Sequence, residues 1–146
     1  MKRQDKYPET STFHYHNANT KNRITTDCVV RAISTALELP YCVVCFEMAE
    51  LQCETGYDMS ENKCIDMYLQ SKGWVKHSQP RKEDNKKFTG KEFCDWLGDG
   101  LYINNKPAGR VVANIGGGRI VAIIDCKVWD TWDSTDGCIG IYWTKG

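Results

Sequence analysis

Cys28 is the residue best placed to do chemistry. It lies in Thr25-Thr26-Asp27-Cys28-Val29-Val30-Arg31-Ala32-Ile33, where a polar stretch gives way to an apolar helical run. A thiol at a helix N-terminus meets unpaired backbone N–H groups and the positive end of the helix dipole. Both favour the thiolate, which is the nucleophilic form. The plainer role for a free cysteine is that of a small buried hydrophobe. Asn22, upstream in the same segment, could offer its amide as an oxyanion donor or simply belong to a loop. A cysteine nucleophile needs a base, and the base needs an acid to orient it. Asp130 and Asp133, within Val128-Trp129-Asp130-Thr131-Trp132-Asp133, both qualify as that acid. Strand alternation would put Asp130 and Trp132 on one face, with Trp129, Thr131 and Asp133 on the other. Capping turns at a sheet edge is the alternative for both carboxylates. The histidines are His14, His16 and His77. None opens a strand ahead of the acid-bearing one. His14 and His16 fall in a polar stretch that could fold over Cys28, and His77 opens a charged loop. Surface positions are the default for all three.

Other chemistries find less support. Cys42-Val43-Val44-Cys45 has C-x-x-C spacing, with Cys53 and Cys64 downstream. The pair falls inside an amphipathic helix, whereas thiolate zinc sites draw on turn-borne knuckles. No second pair completes a set, so no metal is expected, and a redox dithiol would want a βαβ context that is absent. No phosphate-binding glycine motif follows a strand and opens a helix, so no nucleotide cofactor is expected. Gly116-Gly117-Gly118 runs from strand to strand and reads as a turn. The run with Lys76, Arg81, Lys82, Lys86 and Lys87 also holds Glu83 and Asp84 and reads as a solvated face.

The elements that must position these residues follow from pattern. Residues 1–24 are polar and irregular and read as an arm or loop. Thr26 or Asp27 is a fair N-cap for a helix from Cys28 to about Leu39, with Val29, Val30, Ile33, Ala36 and Leu37 on one face. Pro40 ends it and opens a second helix, from Tyr41 to about Glu54, with Val44, Met48 and Leu51 as its stripe. A third helix runs from about Asn62 to Ser71. Gly73 suits a left-handed cap, and Trp74-Val75 leaves extended. Thr89-Gly90-Lys91-Glu92 fits a capping box for a short helix through about Leu97. From Leu101 the character turns to β: strands over 110–115 and 119–124 joined by the three glycines, an extended run from Lys127 to Trp132, and a last strand over about 140–143. Helices first and an antiparallel meander second indicate an α+β fold with segregated layers.

Composition sets the outer limits. The chain has 146 residues, enough for one domain with a real core. With 41% hydrophobic residues and five Trp it is globular, not disordered. Lys+Arg and Asp+Glu balance at 19 each, which argues against nucleic acid as the main partner while leaving room for a local basic patch. No apolar run is long enough to span a bilayer, and no signal-peptide h-region follows Met1-Lys2-Arg3. The eight cysteines are therefore expected to be mostly reduced, in a cytoplasmic protein.

Several of these segments together resemble a family of small papain-like proteins carried by bacteriophages and prophages, most of them uncharacterised. The resemblance rests on Asp27-Cys28-Val29-Val30-Arg31-Ala32-Ile33, Gly73-Trp74-Val75-Lys76 with Gln79-Pro80-Arg81-Lys82, Thr89-Gly90-Lys91-Glu92-Phe93, and Ile120-Val121-Ala122-Ile123 through Asp130-Thr131-Trp132-Asp133. It runs from about Asn17 to Trp143. It implies a papain-like fold with N-terminal helices packed on a C-terminal antiparallel sheet. It implies Cys28 as the nucleophile, an acid at Asp130 or Asp133, and a histidine base directly before the strand Ile120–Ile124. Arg119 stands at that last position. Arginine stays protonated at any ordinary pH and cannot accept the thiol proton.

Three functions follow as expectations. The first is a pseudoenzyme that binds and inhibits a host protein, such as a bacterial defence component of the CRISPR kind, in the cytoplasm of the bacterial host. The second is an active cysteine hydrolase in which Cys28 attacks, Asn22 holds the oxyanion, and His14, His16 or His77 serves as base. The third, a nucleic-acid-binding module, rests on the basic loop and exposed aromatics alone.

Overall fold

The computed structural model describes residues 1–98 and 109–146, with the backbone alone of two short strands between them. The fold is α+β. A one-turn helix α1 (Arg3–Lys6) and a strand β1 (Phe13–Tyr15) precede three helices, α2 (Cys28–Leu37), α3 (Tyr41–Thr55) and α4 (Asn62–Ser71). Then come β2 (Trp74–His77), α5 (Gly90–Gly98), the short pair β3 (Tyr102–Ile103) and β4 (Lys106–Pro107), and four longer strands: β5 (Arg110–Ile115), β6 (Arg119–Ile124), β7 (Lys127–Asp130) and β8 (Ile139–Lys145). No helix among the described residues is long and apolar enough to cross a membrane. All eight cysteines are free thiols.

Local signals set most boundaries. Helix α2 stops two residues short of the expected Leu39 because Glu38 turns left-handed (φ 55°) and Leu39 N–H returns to the Ser34 carbonyl. Arg110 caps the same end by donating to the Thr35 and Ala36 carbonyls. The capping box forms in full: Thr89 N–H donates to Glu92 Oε1 at 3.0 Å, and Glu92 N–H donates to Thr89 Oγ1 at 3.2 Å. Gly116 and Gly117 take positive φ (64° and 83°) and close the β5–β6 hairpin, so that Ile115 pairs with Arg119 at its mouth.

The sheet is larger than the expected meander. Its order is β1-β7-β6-β5-β8-β2, antiparallel throughout except that β1 runs parallel to β7. The arm expected over residues 1–24 is therefore in part a sheet strand, anchored by the wholly buried Phe13. Parallel pairing needs a long crossover, and everything from α2 to β6 supplies it. Helices cover both faces, which departs from a single helical layer. Helices α2, α3 and α4 pack on Val112, Ile120, Ala122, Ile124 and Trp143. Phe93, Cys94 and Leu97 of α5 join Phe13, Phe88, Val111, Val121, Ile123 and Ile139 on the other face. A sheet buried on both sides explains why the central strands read as near-continuous apolar runs, not alternating ones.

Candidate functional site

Helix α2 lies against β6, and the two bring four charged residues to one end of the sheet. Asp27 precedes α2 and Arg31 is one turn inside it. Arg119 opens β6 and Asp130 closes β7. Arg31 is buried and bridges two acids: its Nε donates to Asp27 Oδ1 and its Nη1 to Asp130 Oδ1, both at 2.8 Å. Arg119 grips Asp130 with two bonds, Nε to Oδ2 at 2.6 Å and Nη2 to Oδ1 at 2.9 Å. Its guanidinium also lies 4.8 Å from the centre of the Trp132 ring, a cation–π contact. Thr131 N–H donates to Asp130 Oδ1 at 2.7 Å. Asp130 is 2% exposed, and burial at that level requires such pairing.

Asp27 stands at the N-cap of α2 without capping it by its side chain. Its carboxylate takes charge-assisted bonds instead, from Arg31, from Tyr41 Oη at 2.6 Å and from Asn19 Nδ2 at 3.0 Å. Burial works to raise the Asp27 pKa, but the bonds from Tyr41, Arg31 and Asn19 outweigh it and bring the group to about 2. Burial likewise opposes the charge on Arg31, yet Asp130 and Asp27 raise its pKa above the ordinary arginine value. Burial and the bond to Asp27 push the Tyr41 phenol upward. The cluster thus sets two acids against two guanidiniums in direct ion pairs. This differs from a catalytic pair, in which one member must release or take a proton near neutral pH.

The expected site residues divide between this cluster and its surroundings. Cys28 is the first residue of α2, half-buried and packed on the core. The hydrogen bonds of Asp130 and Arg119 run to each other, to Arg31 and to Thr131 N–H, and none reaches Cys28. Asn22 is exposed in a left-handed turn (φ 54°), and its side-chain oxygen accepts from Asn17 at 3.4 Å. Asp133 is not the partner of Arg119. It folds back on its own turn, accepting from the N–H and hydroxyl of Thr135. The expected alternation through Asp133 does not arise because β7 ends at Asp130 and the chain bends at Thr131. The C-x-x-C pair lies on α3, with Cys42 exposed and Cys45 half-buried.

The histidines occupy opposite edges of the sheet. His14 lies in β1, bonded to Glu9. His16 follows β1, donates its backbone N–H to the Asp130 carbonyl at 2.9 Å, and sets its ring 5.1 Å from that of Trp129. Burial lowers the His16 pKa, and the positive charges of His14 and Arg31 lower it further. His77 lies in β2, across β8 and β5 from Arg119.

Reading for nucleophiles and bases passes over Arg31, Tyr41 and Asn19. The one available signal was the i, i+4 spacing of Asp27 and Arg31, which pairs acid and base on one helix face. Nothing local announces that this arginine is buried or that Tyr41 turns back to Asp27.

No protein-family model matches the sequence, and neither a curated protein nor a solved structure matches it.

Proposed function

We propose that the chain is a papain-like protein of the small phage-borne kind in which the residues of a hydrolytic site form a fixed structural cluster, and that it acts by binding a host protein. A component of bacterial defence is the partner that the resemblance suggests. Support for the papain-like reading lies in the order of parts. Cys28 begins a helix packed on β6, Arg119 stands first in β6 where the base is expected, and Asp130 ends the neighbouring antiparallel strand. The observation that carries the non-catalytic reading is the pairing of Asp130 with two arginines. A carboxylate has roughly four acceptor sites. Oδ1 takes three bonds, from Arg31, Arg119 and Thr131 N–H, and Oδ2 takes one, from Arg119. At the position expected of the base, Asp130 thus meets a guanidinium and not an imidazole, and neither guanidinium can take a proton from Cys28.

The test is alkylation of Cys28 followed by intact mass and site mapping. Cys28 should label at about pH 5 no faster than the exposed Cys42, Cys53 and Cys138. Rapid, selective labelling of Cys28 there would overturn the reading. Arg119→His is the gain-of-function control, since it releases two Asp130 acceptor sites to a residue able to act as base.

A second reading has one observation in its favour. His16 is tied by its backbone to Asp130, and burial keeps its ring neutral to lower pH than an ordinary histidine. An active cysteine hydrolase would take His16 as base. Turnover of any amide or ester that disappears in both Cys28→Ser and His16→Gln would establish it.

A further inference from the structure

The N-terminal stretch carries positive charge that the rest of the molecule does not neutralise. Lys2, Arg3, Lys6, Lys21 and Arg23 form no ion pair among the described residues. Of the two acids in the same stretch, Glu9 already serves His14 and Lys127, which leaves Asp5. Two of these cations, Lys2 and Arg3, line a cavity of about 460 Å³ together with Gln4, Tyr15, Asn22 and Ile24. Arg23 lies in sequence between the last two.

The cavity is held in place from two sides. Arg3 Nε donates at 2.7 Å to the carbonyl of Thr131, the residue after Asp130. That leaves its terminal nitrogens without a hydrogen bond among the described residues. Tyr15 is the register partner of Asp130 across the β1–β7 pair. The cavity therefore abuts the strand end that bears the four-residue ion cluster. That cluster offers it no negative charge, because Asp27 and Asp130 are spent on Arg31 and Arg119. One wall is apolar: Ile24 is 49% exposed, and the half-buried Tyr15 stands beside it. An apolar side chain left this open, next to cations with no acid of their own, matches an acidic amphipathic ligand. The chain as a whole carries no net charge, and Lys2 and Arg3 share one cavity with an apolar wall. Both features fit a peptide better than a nucleic-acid backbone, which wants a long basic track.

We propose that this cavity docks an acidic peptide segment of a protein partner, with a glutamate or aspartate carboxylate between Lys2 and Arg3 and a neighbouring apolar side chain against Ile24 and Tyr15. The proposal rests on the binding reading above and names the chemistry of the partner.

The test is fluorescence anisotropy on the full chain with a dye-labelled peptide of alternating glutamate and leucine. Its glutamine–leucine counterpart and a dye-labelled oligothymidylate of equal charge serve as the other arms. The glutamate peptide should bind, and the glutamine peptide should bind about tenfold more weakly or less. Lys2→Gln combined with Arg23→Gln should weaken binding about fivefold or more. These two side chains make no hydrogen bond among the described residues, so the variant keeps its fold, and circular dichroism checks that it does. Arg3→Gln should weaken binding further. Equal binding of both peptides, equal or tighter binding of the oligonucleotide, or no effect of the Lys2 and Arg23 changes would each overturn the proposal. Cleavage of the peptide or fast alkylation of Cys28 would sink the non-catalytic reading and leave charge-dependent docking standing. Absence of docking with an inert Cys28 would sink the docking alone.

Discussion

The two edges of the sheet both carry a partly buried histidine, and the two histidines live by different rules. At the β2 edge His77 is satisfied by neutral groups. Its Nε2 is 2.7 Å from Thr144 Oγ1, and its ring stacks on Tyr142 at 4.8 Å. Burial alone lowers its pKa. At the β1 edge His16 sits against a strand end that holds Asp130, with Arg31 and His14 near enough to act on it through charge. Arg119 and His77 are separated by three inter-strand steps, about 14 Å at the usual spacing of ~4.8 Å. One edge is thus built around buried ions and the other around packing and a single hydroxyl. The lesson is that a half-buried histidine near a sheet edge reveals little until the charges around it are counted.

The largest effect should come from breaking the ionic edge. Asp130→Ala leaves Arg119 without an acid and Arg31 with Asp27 alone, so chemical denaturation should show a loss of about 3–5 kcal/mol. A loss below about 1 kcal/mol would mean that water solvates the two guanidiniums and that the cluster is not a structural centre. Next is Tyr41→Phe, which removes one bond to the ionised Asp27 and should cost about 1.5–3 kcal/mol at neutral pH. The same change bears on acid stability. Asp27 is held at about 2, below its ordinary 3.8, so its contribution is complete above that ordinary value and is lost as pH falls toward 2. Without Tyr41 the Asp27 pKa rises, and the acid unfolding midpoint should move upward with it.

The neutral edge should yield less. His77→Phe keeps the stacking on Tyr142 and gives up the bond to Thr144, which is worth about 0.5–1.5 kcal/mol by urea denaturation. The smallest effect is the sharpest contrast. Both imidazoles have lowered pKa values, so each adds stability above the ordinary histidine pKa and loses it as pH falls through its own lowered value. Raising the salt concentration should lift the His16 value, because salt screens His14 and Arg31, and should leave His77 in place. A two-dimensional NMR titration reads both at once. Equal salt responses would erase the distinction between the edges.

Much of the fold was legible along the chain. Helices α3 and α4, the β5–β6 hairpin and the Thr89–Glu92 capping box lie where caps, prolines and glycines put them. The start of α2 at Cys28 is of the same kind. Such features are governed by contacts a few residues apart, where sequence pattern and structure share one cause. Strand β1 was less legible. Phe13 and Tyr15 alternate as a strand would, but three residues are too few for periodicity to stand out from a polar stretch.

What the sequence determined by itself was the set of candidates: a cysteine opening a helix, two acids within four positions, and an arginine at the head of a β-strand. The choice among them was tertiary. Asp130 became the centre because β7 ends beside the first residue of β6 and beneath a helix whose Arg31 is 99 residues away along the chain. Asp133, past the bend, found its partner two residues on, in Thr135. A buried carboxylate must be met by donors from wherever the fold can bring them. Here the fold brought two arginines, and that placement, invisible in either segment alone, turns the expected acid into the centre of a buried ion cluster.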